Sequence, residues 1–258
     1  MLVISVVNHK GGVAKTTTAV NLSAALVEQG RSVLLIDLDP QASASLWFGV
    51  RTKGQTVLKA MLEGKGLGDL VQQTLSGVDL VPSGPAFASF EKLGPKQPRS
   101  ETLLRTALQG LPEKWQYVFL DCPPSLNLAS VNALVAARRV LVPVTAQVLS
   151  LEPLARLLDT MWQVRERLNP DLQLNGMFAS RLDSRTAHGP EVLKLLREQF
   201  GNNVYNVSIR ENVNLAEAAG FQKPITQYAP SSNGAEDYRS LAKEFESRLK
   251  RELAKEKA

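Results

Sequence analysis

Short apolar runs alternate along the chain with longer stretches in which apolar residues recur every three or four positions. Leu2 to Val7 is rich in β-branched residues and ends at Asn8. Thr16 to Gln29 follows, with Ala19, Leu22, Ala25 and Leu26 at helical spacing and Gly30 placed to cap the C-terminus. A second apolar run, Val33 to Ile36, ends in Asp37-Leu38-Asp39-Pro40. The same pattern predicts strands at Val78 to Val81, Tyr117 to Leu120, Val140 to Val144, Leu174 to Phe178 and Val204 to Ile209. Helices are predicted at 54–63, 100–110, 125–137, 151–168, 189–200 and 235–255. Pro82, Pro85, Pro95 and Pro98 predict an extended surface connection between 82 and 98.

Strands apolar on both faces and separated by helices are strands covered on two sides. The expected fold is therefore α/β, a doubly wound and mostly parallel sheet with helices on both faces. The 258 residues admit one large domain or two small ones at roughly 150 residues each. With no repeat and no shift in composition, a single domain over 1–258 is expected, without a separate N-terminal DNA-reading module. Apolar residues at 44% and charged residues at 21% exclude wholesale disorder, collagen and coiled coil. The one cysteine, Cys122, excludes an intramolecular disulfide framework and a Cys-rich zinc site, and His9 and His188 alone argue against a His-based metal centre. A reducing, cytoplasmic compartment is expected. No apolar run approaches the roughly 18 residues of a membrane span, and Met1-Leu2-Val3-Ile4-Ser5 lacks the plan of a signal peptide. Thirty Lys and Arg against 25 Asp and Glu leave a net charge of +5, which permits contact with a polyanion.

Candidate chemistry begins between the first strand and the first helix, at His9-Lys10-Gly11-Gly12-Val13-Ala14-Lys15-Thr16-Thr17. Gly-rich backbone there can point successive N–H groups at phosphates, and the helix N-terminus adds the positive end of its dipole. Lys15 would reach the β- and γ-phosphates and the Thr16 hydroxyl would ligate Mg²⁺. The strict G-x-x-x-x-G-K-[ST] pattern is departed from twice, by His9 and by Ala14. What stands instead is K-G-G-x-x-K-T, with an extra lysine at Lys10. A negative φ is expected at Ala14, because a positive one would cost an alanine about 1 kcal/mol relative to glycine.

Carboxylates end two of the predicted strands. Asp37 and Asp39 alternate along the chain and so point to the same side. At the carboxyl ends of α/β strands they would face the ligand crevice, to hold Mg²⁺ or orient an attacking water. Asp121, closing Phe119-Leu120-Asp121-Cys122-Pro123-Pro124, fits the Walker B pattern of a carboxylate that holds Mg²⁺ directly or through water. Cys122 reads as a small buried hydrophobe.

Asn8 to Thr18, Leu35 to Gln41 and Asp121 to Pro124 together resemble the ParA/Soj family of chromosome and plasmid partition ATPases, with its deviant Walker A loop. Leu168-Asn169-Pro170, Asp183-Ser184-Arg185-Thr186, Glu191 to Gly201 and Gly234 to Ala242 fit the family's order, so the resemblance covers nearly the whole chain. It implies a P-loop ATPase fold, ATP and Mg²⁺ as cofactors and a homodimer in the ATP state. Lys10 then resembles the lysine that reaches the partner's phosphates. Lys15 resembles the Walker lysine, Thr16 the Mg²⁺ ligand and Thr17 a residue near the α-phosphate. Gly11, Gly12, Val13 and Ala14 complete the nucleotide loop. Asp39 resembles the residue that positions the hydrolytic water and Asp121 the Walker B carboxylate; Asp37, from its place at the strand end, stands with Thr16 and Asp121 as a candidate Mg²⁺ ligand. The adenine would lie near Ser180 and Arg181. The resemblance also implies sequence-independent DNA binding, nucleoid association, and hydrolysis stimulated by a ParB-type centromere-binding partner. Arg185 matches an arginine linked to DNA contact, and Asn214 stands where some relatives carry a basic residue.

Two other members of the same ATPase class compete with this reading. A MinD-like membrane-positioning ATPase would use the C-terminal segment as an amphipathic anchor. Leu241, Phe245, Leu249 and Leu253 recur there every four residues, but Glu244, Glu246 and Glu252 lie between them, so a packed terminal helix is expected and no membrane partner. A cargo-positioning relative would share the DNA chemistry and differ in its passenger. An enzyme like the nitrogenase iron protein shares the loop, but its bridging cluster needs two cysteines per subunit and this chain has one.

Overall fold

A computed structural model of the chain describes residues 1–52, 54, 56–145, 152–183 and 188–256. Seven strands form one sheet: β1 (Leu2–Val6), β2 (Val33–Asp37), β3 (Gln72–Gln73), β4 (Asp79–Val81), β5 (Tyr117–Asp121), β6 (Arg139–Thr145) and β7 (Gln173–Ser180). Their order across the sheet is β3-β4-β2-β5-β1-β6-β7. All pairings are parallel except that of β3 with β4. The connections carry helices α1 (Lys15–Glu28), α2 (Ser43–Trp47), α3 (Val57–Glu63), α4 (Phe90–Leu93), α5 (Leu103–Gln109), α6 (Leu128–Ala136) and α7 (Glu152–Arg167). After β7 come α8 (His188–Phe200), α9 (Val213–Gly220), α10 (Ile225–Tyr228) and α11 (Asn233–Glu256).

The period-2 alternation of strand side chains sorts the core into two layers. Leu34 and Ile36 of β2 and Val118 and Leu120 of β5 pack with residues of α3, α5, α6, α7 and α8. Val33 and Leu35 of β2 and Phe119 of β5 point the other way, toward α1, α9, α10 and α11. Leu241, Phe245 and Leu249 of α11 are buried in this second layer, so the C-terminal stripe is spent on packing. The polar side of α11 is tied down as well: Arg31 pairs with Glu246 at 2.5 Å, and the fully buried Arg139 pairs with Glu252 at 2.9 Å. No helix among the described residues is long and apolar enough to cross a membrane.

Two sequence expectations are corrected. Residues 82–98 are not extended surface chain: they coil into short 3₁₀ turns around α4. Phe87 and Phe90, stacked at 5.3 Å, are buried and draw the segment onto the core. Pro85 and Pro95 sit at the starts of turns, where a missing N–H costs nothing. Residues 204–209 do not form an eighth strand, though they run beside β7: Val204 bridges Met177, and the Tyr205 and Ile209 amides donate to the Met177 and Ala179 carbonyls, both at 2.8 Å. The Asn206 and Val207 amides instead donate to the Glu244 carboxylate of α11, both at 2.9 Å. The helices α2, α9 and α10 and the strand β3 were not expected; each is short.

Candidate phosphate-binding site

Strand register brings the carboxylates together. Asp121 of β5 is aligned with Asp37 of β2 on one side and with Val6 of β1 on the other. The loop from Val7 to Ala14 leaves β1 at the same end of the sheet, beside both aspartates. This is the carboxyl edge of a parallel sheet next to its central strand, where α/β folds bind ligands.

The loop is built by short-range hydrogen bonds. Asn8 is buried, donates to the Pro143 carbonyl at 2.8 Å and accepts from the Lys10 amide at 3.1 Å. Gly12 takes φ 74° and Ala14 takes φ 64°, both left-handed. The expectation of a negative φ at Ala14 is therefore overturned. The left-handed residue turns the chain into α1, whose first ladder bond runs from the Thr18 amide to the Ala14 carbonyl at 2.9 Å. Gly12 meets that demand at no steric cost, whereas the Ala14 methyl costs about 1 kcal/mol.

The two lysines of the loop differ in setting. Lys15 is buried, and its ammonium donates to the Lys10 carbonyl at 3.0 Å, so it is folded back across the loop. Burial pulls its pKa down, and the nearby Asp121 and Asp39 carboxylates partly oppose that. Lys10 is exposed at the rim.

Asp121 is fully buried, and neither of its carboxylate oxygens has a hydrogen-bond partner. Burial raises its pKa well above the usual carboxylate range, and the adjacent Asp37 adds to the rise; the Thr16 hydroxyl and Lys15 act in the opposite sense. A buried carboxylate left without donors is rare and calls for a counter-charge. With the Thr16 hydroxyl facing it, a divalent cation with its waters fits this donor set. Among the described residues no cluster of three or more His, Cys, Asp or Glu is arranged to hold a metal by itself. A cation here would complete its shell from water and phosphate oxygens, as Mg²⁺ commonly does.

Asp37 is engaged differently. Its Oδ1 accepts from the Asp39 amide at 3.0 Å, and its Oδ2 accepts from both the amide and the hydroxyl of Ser45, at 2.9 and 2.7 Å. Burial raises its pKa to about 6 despite those bonds. Asp39 lines the cleft, with one oxygen accepting from the Gln41 amide at 2.8 Å. Cys122 is buried, and burial pushes its thiol pKa up, as expected of an inert small hydrophobe.

A cleft of about 680 Å³ opens beside the loop, within the usual size of small-molecule sites. Gly11, Gly12 and Ala14 to Thr17 form one wall; Arg181 and the segment 209–213 form another. Arg181 crosses the mouth, pairing with Glu211 at 3.1 Å and donating to the Gly12 carbonyl at 3.5 Å. The Ser180 hydroxyl donates to the Val13 carbonyl at 3.1 Å, fastening β7 to the loop. Trp47, Leu215, Ala216, Ala219 and Tyr238 also line the cleft and were not singled out from sequence. Asn212, whose side chain caps α9 by accepting from the Asn214 amide at 2.8 Å, was the available signal for that wall. Arg185 lies outside the described residues.

Residues 1–174 match the family model of an AAA domain. The chain is 44% identical over 248 residues to the chromosome-partitioning ATPase Soj of Thermus thermophilus, covering 95% of this chain and 96% of that one. It is 39% identical over 246 residues to the sporulation initiation inhibitor protein Soj of Bacillus subtilis, covering 94% and 97%. Among solved structures, a Mycobacterium smegmatis protein described as cobyrinic acid a,c-diamide synthase, with bound ADP and magnesium, superposes with a TM-score of 0.83 at 33% identity. That match covers 94% of this chain and 93% of the other. Agreement over nearly the full length with the Soj proteins, on a sheet that gathers the phosphate loop and two aspartates at one edge, places the chain in the Soj/ParA family of chromosome-partitioning ATPases.

Proposed function

We propose that this ATPase is an ATP-driven switch for DNA partition, built as one P-loop unit over residues 1–258. ATP binds with its phosphates in the loop 11–17, contacted by the N–H groups of the loop and the Lys15 ammonium. Mg²⁺ is held by Thr16 and Asp121. Asp37 enters as the anchor of the Asp39 loop rather than as a cation ligand, because its oxygens already accept three hydrogen bonds. The nucleoside extends toward Arg181 and the 209–213 wall. Asp39 orients the water that attacks the γ-phosphate.

The observation that carries this reading is the division of labour between Lys15 and Lys10. Lys15 is buried and committed to its own loop, whereas Lys10 is exposed on the same rim. Lys10 matches the family lysine that supplies charge to the partner's phosphates, and its exposure leaves it free to do so, which would make two chains a requirement for a complete site. The two chains of the ATP dimer together contribute about +10 before the bound nucleotide is counted, and the dimer binds DNA without sequence preference. A ParB-type partner stimulates hydrolysis and the dimer loosens. The protein then works in the cytoplasm on the nucleoid, without a membrane partner.

Light scattering of the wild type and of Lys10→Ala, each with a non-hydrolysable ATP analogue and with ADP, tests this. The wild type should double its mass with the analogue alone, and Lys10→Ala should stay monomeric while still binding it. A Lys10→Ala protein that dimerises as the wild type does would remove Lys10 from its role.

A further inference from the structure

The segment from Asp37 to Ser45 is a closed loop. It leaves β2 at Asp37, turns at Pro40-Gln41, passes Ala42 at φ 52° and returns through α2. Ser45, 1% exposed, is where it closes. Both its amide and its hydroxyl donate to Oδ2 of Asp37, and the Ser83 amide, just past β4, donates to the same hydroxyl oxygen at 3.0 Å. With that oxygen already accepting from Ser83, the single hydroxyl proton is directed at Asp37.

We propose that Ser45 is a positioning residue for ATP hydrolysis, acting through Asp37 to hold Asp39 beside the phosphate loop. The chain of contacts is short. Ser45 holds Oδ2 of Asp37, and Oδ1 of Asp37 holds the Asp39 amide at 3.0 Å. Asp39 in turn fixes the turn after it, its Oδ1 accepting from the Gln41 amide and its carbonyl from the Ala42 amide at 2.9 Å. Asp37 is fully buried, so its rotamer is set by these donors and not by water. Removing the hydroxyl takes away the 2.7 Å bond and leaves the Ser83 amide without its acceptor. A carboxylate that must meet a water molecule loses rate when its support slips by a fraction of an ångström. Ser83 extends the same buried polar seam away from the cleft, which ties the position of Asp39 to the end of β4.

This inference rests on the assignment of Asp39 made above, and the test separates the two. Single-turnover ATP hydrolysis, affinity for a non-hydrolysable ATP analogue and thermal melting are measured for Ser45→Ala, Ser45→Thr, Asp39→Ala and the Ser45→Ala/Asp39→Ala double variant. Ser45→Ala should slow hydrolysis roughly 10- to 100-fold, the usual effect of losing a supporting hydrogen bond, with analogue affinity little changed. Ser45→Thr keeps the hydroxyl and should recover most of that loss. In the Asp39→Ala background Ser45→Ala should slow the residual rate no further, because its effect passes through Asp39. Wild-type hydrolysis by Ser45→Ala, a parallel loss of analogue affinity, a normally melting Ser45→Thr as slow as the alanine, or an additive double variant overturns the inference. If Asp39→Ala itself turns over ATP at the wild-type rate, the assignment of Asp39 fails and the role of Ser45 falls with it.

Discussion

The Lys15 ammonium donates to the Lys10 carbonyl at 3.0 Å, so the two lysines of the phosphate loop are joined side chain to backbone. Lys15 is buried against the loop and Lys10 is exposed on its rim. Phosphates entering the loop would take over the bond that Lys15 now makes to the carbonyl. Lys15→Ala should therefore weaken ATP binding by about tenfold or more, as expected for charge-assisted bonds of roughly 1.5–3 kcal/mol. Lys10→Ala should leave monomer affinity nearly unchanged. Titration calorimetry distinguishes the two, and equal losses in both variants would contradict the separation of roles.

Ala14 sits at φ 64° with a methyl that the left-handed region disfavours. Ala14→Gly should stabilise the protein by about 1 kcal/mol, a rise in Tm of roughly 2–4 °C for a chain of this size. The Thr18 amide bond to residue 14 is a backbone bond and is kept. An unchanged or lower Tm in a melting experiment would show that the loop relaxes around the alanine.

How much of this was legible beforehand follows a physical divide. Six of the seven strands expected from apolar runs, and the alternation of helices, came from periodicity, which depends on burial alone. The clustering of the loop, Asp37, Asp39 and Asp121 followed from the rule that strand ends face the crevice. What sequence did not reveal depends on tertiary partners. Residues 204–209 look like a strand until Glu244 of α11 takes the Asn206 and Val207 amides from the middle of the run. Residues 82–98 look like a Pro-rich loop until Phe87 and Phe90 bury them. The φ of Ala14 and the closure of the Asp37 loop by Ser45 are set by geometry that a one-dimensional pattern does not carry.

The carboxylate pair predicts a pH dependence. The folded pKa of Asp37 is about 6, above the unfolded value of about 3.9, and Asp121 is raised in the same direction. The folded state without ligand therefore holds these protons more tightly than the unfolded chain. That contribution to stability is complete below about pH 4 and is lost as pH rises through about 6. Asp121→Asn removes a charge that the buried site must otherwise carry. The variant should melt above the wild type at pH 8 in the absence of ligand, by an amount on the order of 1 kcal/mol or more, and the gap should narrow at pH 5. Its stabilisation by Mg²⁺ with ATP should be smaller than that of the wild type. A variant less stable than the wild type at pH 8 would contradict this account of Asp121.

The buried Arg139 guanidinium pairs with Glu252 near the far end of α11 and also donates to the Arg138 carbonyl. Glu252→Ala should destabilise the protein by roughly 1.5–3 kcal/mol, the usual range for losing a hydrogen bond to a charged group. Urea unfolding measures this. Because α11 is committed to the core, the wild type should not sediment with anionic vesicles in ATP, and co-sedimentation would mean that the helix can leave its place.

In the proposed switch, nucleotide decides whether this ATPase binds DNA. The most direct measurement is binding of the wild type to random-sequence duplex DNA with ATP and Mg²⁺, with ADP and Mg²⁺, and without nucleotide, at two salt concentrations. Binding in ATP alone, at roughly micromolar to 100 micromolar affinity and falling steeply with salt, is the predicted result. Equal binding in all three states would contradict the account.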